Sequence, residues 1–155
     1  LAGAVGAEDA QDLAGIDAAD FLRELCENVE RAFHRPGIAV RVAAAGLVVS
    51  LDLAAVLGLI VSELLTNAFK HAFSDGEAGM IRVELHPSDT APGCVLVVED
   101  DGRGLVEASA VGTGLTLVRG LARQQGGSCR LESAPGTRWV IELHDRHPHR
   151  AASAI

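Results

Sequence analysis

Four groups of residues in this chain have types and spacings that could do chemistry. In ELLTNAFKHAF, Glu63, Asn67, Lys70 and His71 stand at offsets of 0, 4, 7 and 8, which places them on one face of a helix. An Asn side-chain oxygen is a hard ligand suited to Mg²⁺, a carboxylate one turn earlier can orient or polarise a nucleophile, and Lys70 and His71 can meet phosphate charge. The same face also fits a plain solvated helix surface, although Asn is a poor helix former in mid-helix. In VVEDDGRGL, Asp100 closes a buried strand. Its carboxylate can accept a hydrogen bond from an exocyclic amine, which adenine has and guanine lacks at that position. Gly102 and Gly104 would admit backbone close to a base and sugar, while Asp-Gly after a strand is equally a hairpin signal. Gly112-Thr113-Gly114 opens a helix that continues from Leu115. Such a start presents free N–H groups and a positive dipole end to phosphate, and glycines before a helix are also common without that role. Pro135-Gly136-Thr137 is turn chemistry entering a strand, where Thr137 could add a hydroxyl beside the Asp100 carboxylate.

The elements that must position these groups follow from periodicity. Asp17 and Asp20 resemble a capping box, and Phe21, Leu22, Leu25, Val29 and Phe33 repeat at helical spacing until Pro36-Gly37. Ile38, Val40 and Val42 alternate with Ala39 and Arg41, and Leu47 to Leu51 form a second short strand-like run. A helix is expected from Asp52, as its N-cap, to about Ala72. Strands are expected around Ile81 to Leu85 and Val95 to Val98, then a helix ending at Gly126-Gly127. A last hairpin runs from Ser128 to Ser133 and from Arg138 to Leu143. The order αββαββαββ predicts an α+β fold, a two-layer sandwich with a mixed sheet and helices on one face.

With 155 residues, one domain is expected, able to bury roughly 70% of its unfolded surface. A 48% hydrophobic and 22% charged composition, with mean hydropathy +0.25, excludes disorder as the main state. The net charge is −8, and residues 1 to 30 hold eight acids against the single base Arg23. The remaining 13 acids and 12 bases leave a nearly neutral body that can accept an anionic ligand. No basic run is present, so nucleic acid is not an expected partner. Cys26, Cys94 and Cys129 suggest neither a disulfide framework nor a zinc site, and a reduced, cytoplasmic setting is expected. Residues 42 to 62 approach membrane-spanning length, yet Asp52 lies at their centre, which favours strand, cap and buried helix over a span. Residues 1–16 are expected as a linker or frayed terminus, 17–143 as the domain, and 144–155 as a flexible tail. His144, His147 and His149 in that tail lack the acid or Cys that would complete a metal shell. The start at Leu1 suggests part of a longer chain.

The four groups, in this order, resemble the asparagine box and the three glycine boxes of the Bergerat-fold ATPases, which include histidine kinases, gyrase B and MutL. LGLIVSELLTNAFKHAF, GLTLVRGLARQQGG and ESAPGTRWVIEL look most like sensor histidine kinases of the branch related to the HWE kinases, over roughly residues 17 to 143. The resemblance implies an ATP-binding catalytic domain that transfers the γ-phosphoryl group to a histidine, with ATP and Mg²⁺ as cofactors. It implies Asn67 as Mg²⁺ ligand, Glu63 as the residue orienting the acceptor or a water, and Lys70 and His71 near the phosphates. It further implies Asp100 on the adenine amine, Gly102 and Gly104 along the adenine pocket, and Thr137 as a supporting contact. Gly112, Thr113, Gly114 and Leu115 would shape the lid and the phosphate grip.

The departures from the family pattern are specific. The WxE element of true HWE kinases is absent, Thr116 stands where many kinases have another glycine, and only seven residues separate Gly104 from Gly112. The ATP lid is therefore expected to be short. None of the six histidines lies in a phosphoacceptor-helix motif. The implied partners are thus a dimerisation and phosphoacceptor domain outside this chain and a downstream response regulator, with no membrane contact by this segment. The alternatives are a stand-alone serine kinase of the anti-sigma type and a non-catalytic nucleotide-binding module.

Overall fold

In the computed structural model, residues 15–104, 112–133 and 135–149 are described. The carboxylate of Asp17 accepts from the Asp20 amide at 3.1 Å and starts helix α1, Ala18–Phe33. Its Leu22 and Cys26 are buried, and Phe21, Leu25, Val29 and Phe33 pack against the core. The helix stops before Pro36-Gly37, because His34 takes a left-handed conformation (φ 48°) and returns its amide to the Glu30 carbonyl.

Strand β1 is Ile16–Asp17, followed after α1 by β2, Ile38–Ala44, and β3, Val48–Val49. The run Leu47 to Leu51, expected as a second short strand, contributes only β3, which pairs with β1 in a separate two-stranded ladder. Ile16 is therefore already part of the fold.

The long helix α2 spans Leu51–Asn67, and its N-cap is Ser50, not Asp52. The Ser50 hydroxyl accepts from the Leu53 amide at 3.1 Å and donates to Asp145 Oδ1 at 2.6 Å, so it closes the helix start more completely than Asp52 could from the first turn. With the π-helical segment Ala68–Ala72 that follows, this stretch is long and apolar enough to cross a membrane by length and composition. Half of its most apolar window is buried inside the domain, with Leu53, Leu57, Ile60, Val61 and Leu65 at 1% exposure or less. That is the pattern of a core helix.

The main sheet has the order β2-β4-β5-β7-β6, with β4 Gly79–Pro87, β5 Gly93–Asp100, β6 Ser128–Ser133 and β7 Thr137–His144. Only β2 and β4 are parallel; the other neighbours are antiparallel, so the sheet is mixed as expected. Period-two alternation turns Ile81, Val83 and Leu85, Leu96 and Val98, and Trp139, Ile141 and Leu143 into one core with α1, α2 and helix α3, Thr113–Gln124. The other face carries Arg82–Glu99 and Arg138–Glu132 ion pairs at 3.6 and 3.5 Å. This is the α+β two-layer sandwich. Helix α3 closes as the glycines indicated, with Gly126 at φ 72° and the Gly127 amide on the Ala122 carbonyl.

Residues 144–149, expected as the start of a loose tail, are anchored to the domain at Asp145 and Arg146, with Arg146, His147 and Pro148 exposed. Asp145 is buried and accepts from the Ser50 amide at 2.9 Å as well as from its hydroxyl, and Arg146 donates to the Gln124 carbonyl. The carboxylate meets the positive end of α2, which holds the segment in place. Asp145→Ala leaves the Ser50 donors without their partner and is expected to cost about 2–4 kcal/mol, read as a lower urea midpoint with unchanged slope. Cys26, Cys94 and Cys129 are free, and burial pushes the Cys26 and Cys94 thiols up to about 12.

Candidate functional site

The end of α2, the turn after β5, the start of α3 and the start of β7 meet around a cavity of about 160 Å³. Antiparallel pairing sets two of its walls, because Asp100 is in register with Thr137 and Val98 with Trp139. All four line the cavity, with Leu64 and Leu115 adding apolar surface from the two helices. A largely apolar wall with a few convergent polar groups is the usual form of a small-molecule site.

Asp100 is 8% exposed. Its Oδ1 accepts from the Gly102 amide at 3.0 Å. Burial pushes the carboxyl above its ordinary range, against the pull of the Gly102 amide and of the Thr137 amide and hydroxyl, while Asp101 adds to the rise. A buried carboxylate with room beside it suits a nitrogen donor from a ligand.

Helix α2 ends at Asn67, and the chain then widens into the π-helical segment, a form frequent at functional sites. The change in hydrogen-bonding period ends the single stripe expected for Glu63, Asn67, Lys70 and His71. Asn67 and His71 line the cavity, whereas Lys70 is exposed and does not. Glu63 is not a lining residue either, but a methyl group on Gly114 would stand 2.5 Å from its Oε2 and 3.7 Å from Asn67 Nδ2. The missing side chain at Gly114 lets the start of α3 close on Glu63 and Asn67.

Gly104, at φ 75°, lines the cavity together with Gly112, Gly114 and Leu115. Gly102 is not among the residues lining the cavity. A methyl group there would stand 2.3 Å from the Ala72 carbonyl oxygen, so Gly102 lets the turn pack onto the end of the π segment. Gly136 does the same against the Asp100 carbonyl, at 1.9 Å. The Thr113 backbone begins α3; its side chain and residues 105–111, the expected lid, lie outside the described residues.

Sequence reasoning missed two arginines that hold the π segment. The carbonyls at a helix end lack partners within the helix. Arg35 reaches from the α1–β2 turn to the Phe69, Phe73 and Ser74 carbonyls, the last at 2.7 Å. Arg103 donates its amide to the Ala72 carbonyl at 3.1 Å and its Nε to the His71 carbonyl at 2.9 Å, and it lines the cavity. Trp139 was also missed as a wall residue, although strand alternation puts it on the face of Thr137.

A chain with this arrangement has known relatives. Residues 52–147 match the model of the histidine kinase-, DNA gyrase B-, and HSP90-like ATPases. Blue-light-activated histidine kinase 2 of Erythrobacter litoralis is 38% identical over 89 residues, 56% of this chain. The chain spans about a quarter of the length of that relative. The histidine kinase domain of the Erythrobacter litoralis EL346 blue-light activated histidine kinase superposes with a TM-score of 0.74 at 30% identity, over 83% of this chain and 61% of that one. The ATP binding domain of PrrB from Mycobacterium tuberculosis gives 0.66 at 25% identity, over 89% and 98%. With its family model matched across more than half of its length and its fold shared with kinase ATP-binding domains, this chain belongs to the histidine kinase-, DNA gyrase B- and HSP90-like ATPases.

Proposed function

We propose that this chain is the catalytic, ATP-binding domain of a sensor histidine kinase, which passes the γ-phosphoryl group of ATP to a histidine in a dimerisation domain outside it. The observation that carries this reading is the joint lining of one cavity by Asp100, Thr137, Asn67 and the start of α3. Asp100 accepts from the exocyclic amine of adenine, Thr137 steadies that carboxylate, and Val98, Trp139, Leu64 and Leu115 exclude water from the base. The amides at the start of α3 and its positive dipole end receive the phosphates.

The donor set fits Mg²⁺. No cluster of three acidic, His or Cys groups that could hold a metal alone occurs among the described residues, and Mg²⁺ favours one or two protein oxygens plus substrate phosphates. Asn67 supplies such an oxygen in the cavity. When bound with the nucleotide, the ion would neutralise charge on the phosphate oxygens. Glu63, whose carboxylate approaches the start of α3 at Gly114, is the residue assigned to orient the incoming acceptor nitrogen. In the transfer a P–N bond to the histidine forms as the P–O bond to ADP breaks, so positioning and charge neutralisation are the domain's contribution. A response regulator is the expected consumer of the phosphohistidine.

The test is incubation of the full-length protein that carries this domain with γ-labelled ATP. Label that is acid-labile and alkali-stable, on histidine, is the expected result; acid-stable label on serine would contradict it and identify the serine kinase alternative.

A further inference from the structure

The geometry points to Arg103 as the side chain that supplies cationic counter-charge to the phosphates of the bound nucleotide, an inference that rests on the reading above. ATP is polyanionic, and among the described residues lining the cavity the only other ionisable groups are His71 and the carboxylate Asp100. Lys70, whose position in the motif suggested this task, lies outside the lining. Residues 105–111, LVEASAV, contain no Lys or Arg, and their one charged residue is Glu107. The segment expected to cover the nucleotide therefore brings no positive charge of its own.

Arg103 is also fixed where such a charge is useful. Its amide on Ala72, its Nε on His71, and the close approach of Gly102 to the Ala72 carbonyl tie the turn to the π segment that follows Asn67. Part of the ordering cost of a long side chain is thereby met before a ligand arrives.

The test is calorimetry of this chain with Mg²⁺ and a nonhydrolysable ATP analogue, and separately with adenosine, at low and moderate salt. Arg103→Gln is expected to weaken the ATP analogue about tenfold and to reduce its salt dependence, with adenosine changed less than about twofold. Arg103→Lys, which keeps the charge and drops the Nε donor, should recover most of the loss, and Lys70→Gln should cost less than about twofold. An equal loss for adenosine, no recovery with Lys, or a larger loss at Lys70 would overturn the inference. Failure of the unaltered chain to bind any adenine nucleotide would instead overturn the kinase reading and this inference together.

Discussion

Asp100→Asn is expected to lower ATP affinity on the order of 100-fold while leaving the fold intact. The carboxylate has one clear chemical use in the cavity, acceptance of a hydrogen bond from a ligand nitrogen, and replacing it turns one acceptor oxygen into an NH₂ donor. That group faces the adenine amine donor to donor, and losing a charge-assisted hydrogen bond while leaving buried donors opposed is worth about 3 kcal/mol. Guanine carries a carbonyl at the same position, so discrimination against GTP should narrow. Stability should move the other way or hardly at all. Burial raises the Asp100 pKa, so the folded chain holds this proton more tightly than the unfolded chain does. The ionised carboxylate therefore costs stability as pH rises through the raised folded value, and Asn carries no such cost. The same shift sets the pH dependence of binding, which should weaken on acidification from a higher pH than an ordinary carboxylate would give. Calorimetry alongside urea unfolding checks both halves: tight binding by the variant, or loss of fold with loss of binding, would contradict the role.

Asn67→Ala is expected to leave Mg²⁺-free nucleotide binding within about twofold and to remove an Mg²⁺-dependent gain of about tenfold or more. Asn67 closes α2 and lines the cavity, and no side-chain cap hydrogen bond to the following segment is lost with it. Ala is also a better helix former, so the helix end should be no less stable. Full-length protein carrying this variant should lose labelling at histidine even at saturating ATP, because the loss falls on a group that acts on the transferred phosphate. An unaltered response to Mg²⁺ would contradict the ligand role.

The parts legible in sequence were those governed by local rules. Alternation marked the inward face of β4, and the 3.6-residue period marked the core-facing side of α1. Motif spacing brought Asn67, Asp100, Gly104, Gly112, Gly114 and Thr137 to one place. What escaped was non-local. Ser50 became the cap of α2 because Asp145, 95 residues away, holds its hydroxyl, and the same contact anchored residues expected to be loose. The π segment broke the helical face that linked Lys70 to Asn67, and it is held by Arg35 from 34 residues earlier in the chain. No local pattern marks such a contact. Arg103 and Gly102 lay inside a recognised motif, yet the motif speaks of the ligand and not of the Ala72 carbonyl against which both residues pack.

The central claim is that Asp100, Asn67 and the start of α3 form an adenine-nucleotide site, and titration of this chain with a nonhydrolysable ATP analogue, with and without Mg²⁺ and against GTP, tests it most directly. Saturable binding that prefers adenine and strengthens with Mg²⁺ is the predicted result. Binding of ATP and GTP with equal affinity, or of neither under any condition, would contradict it.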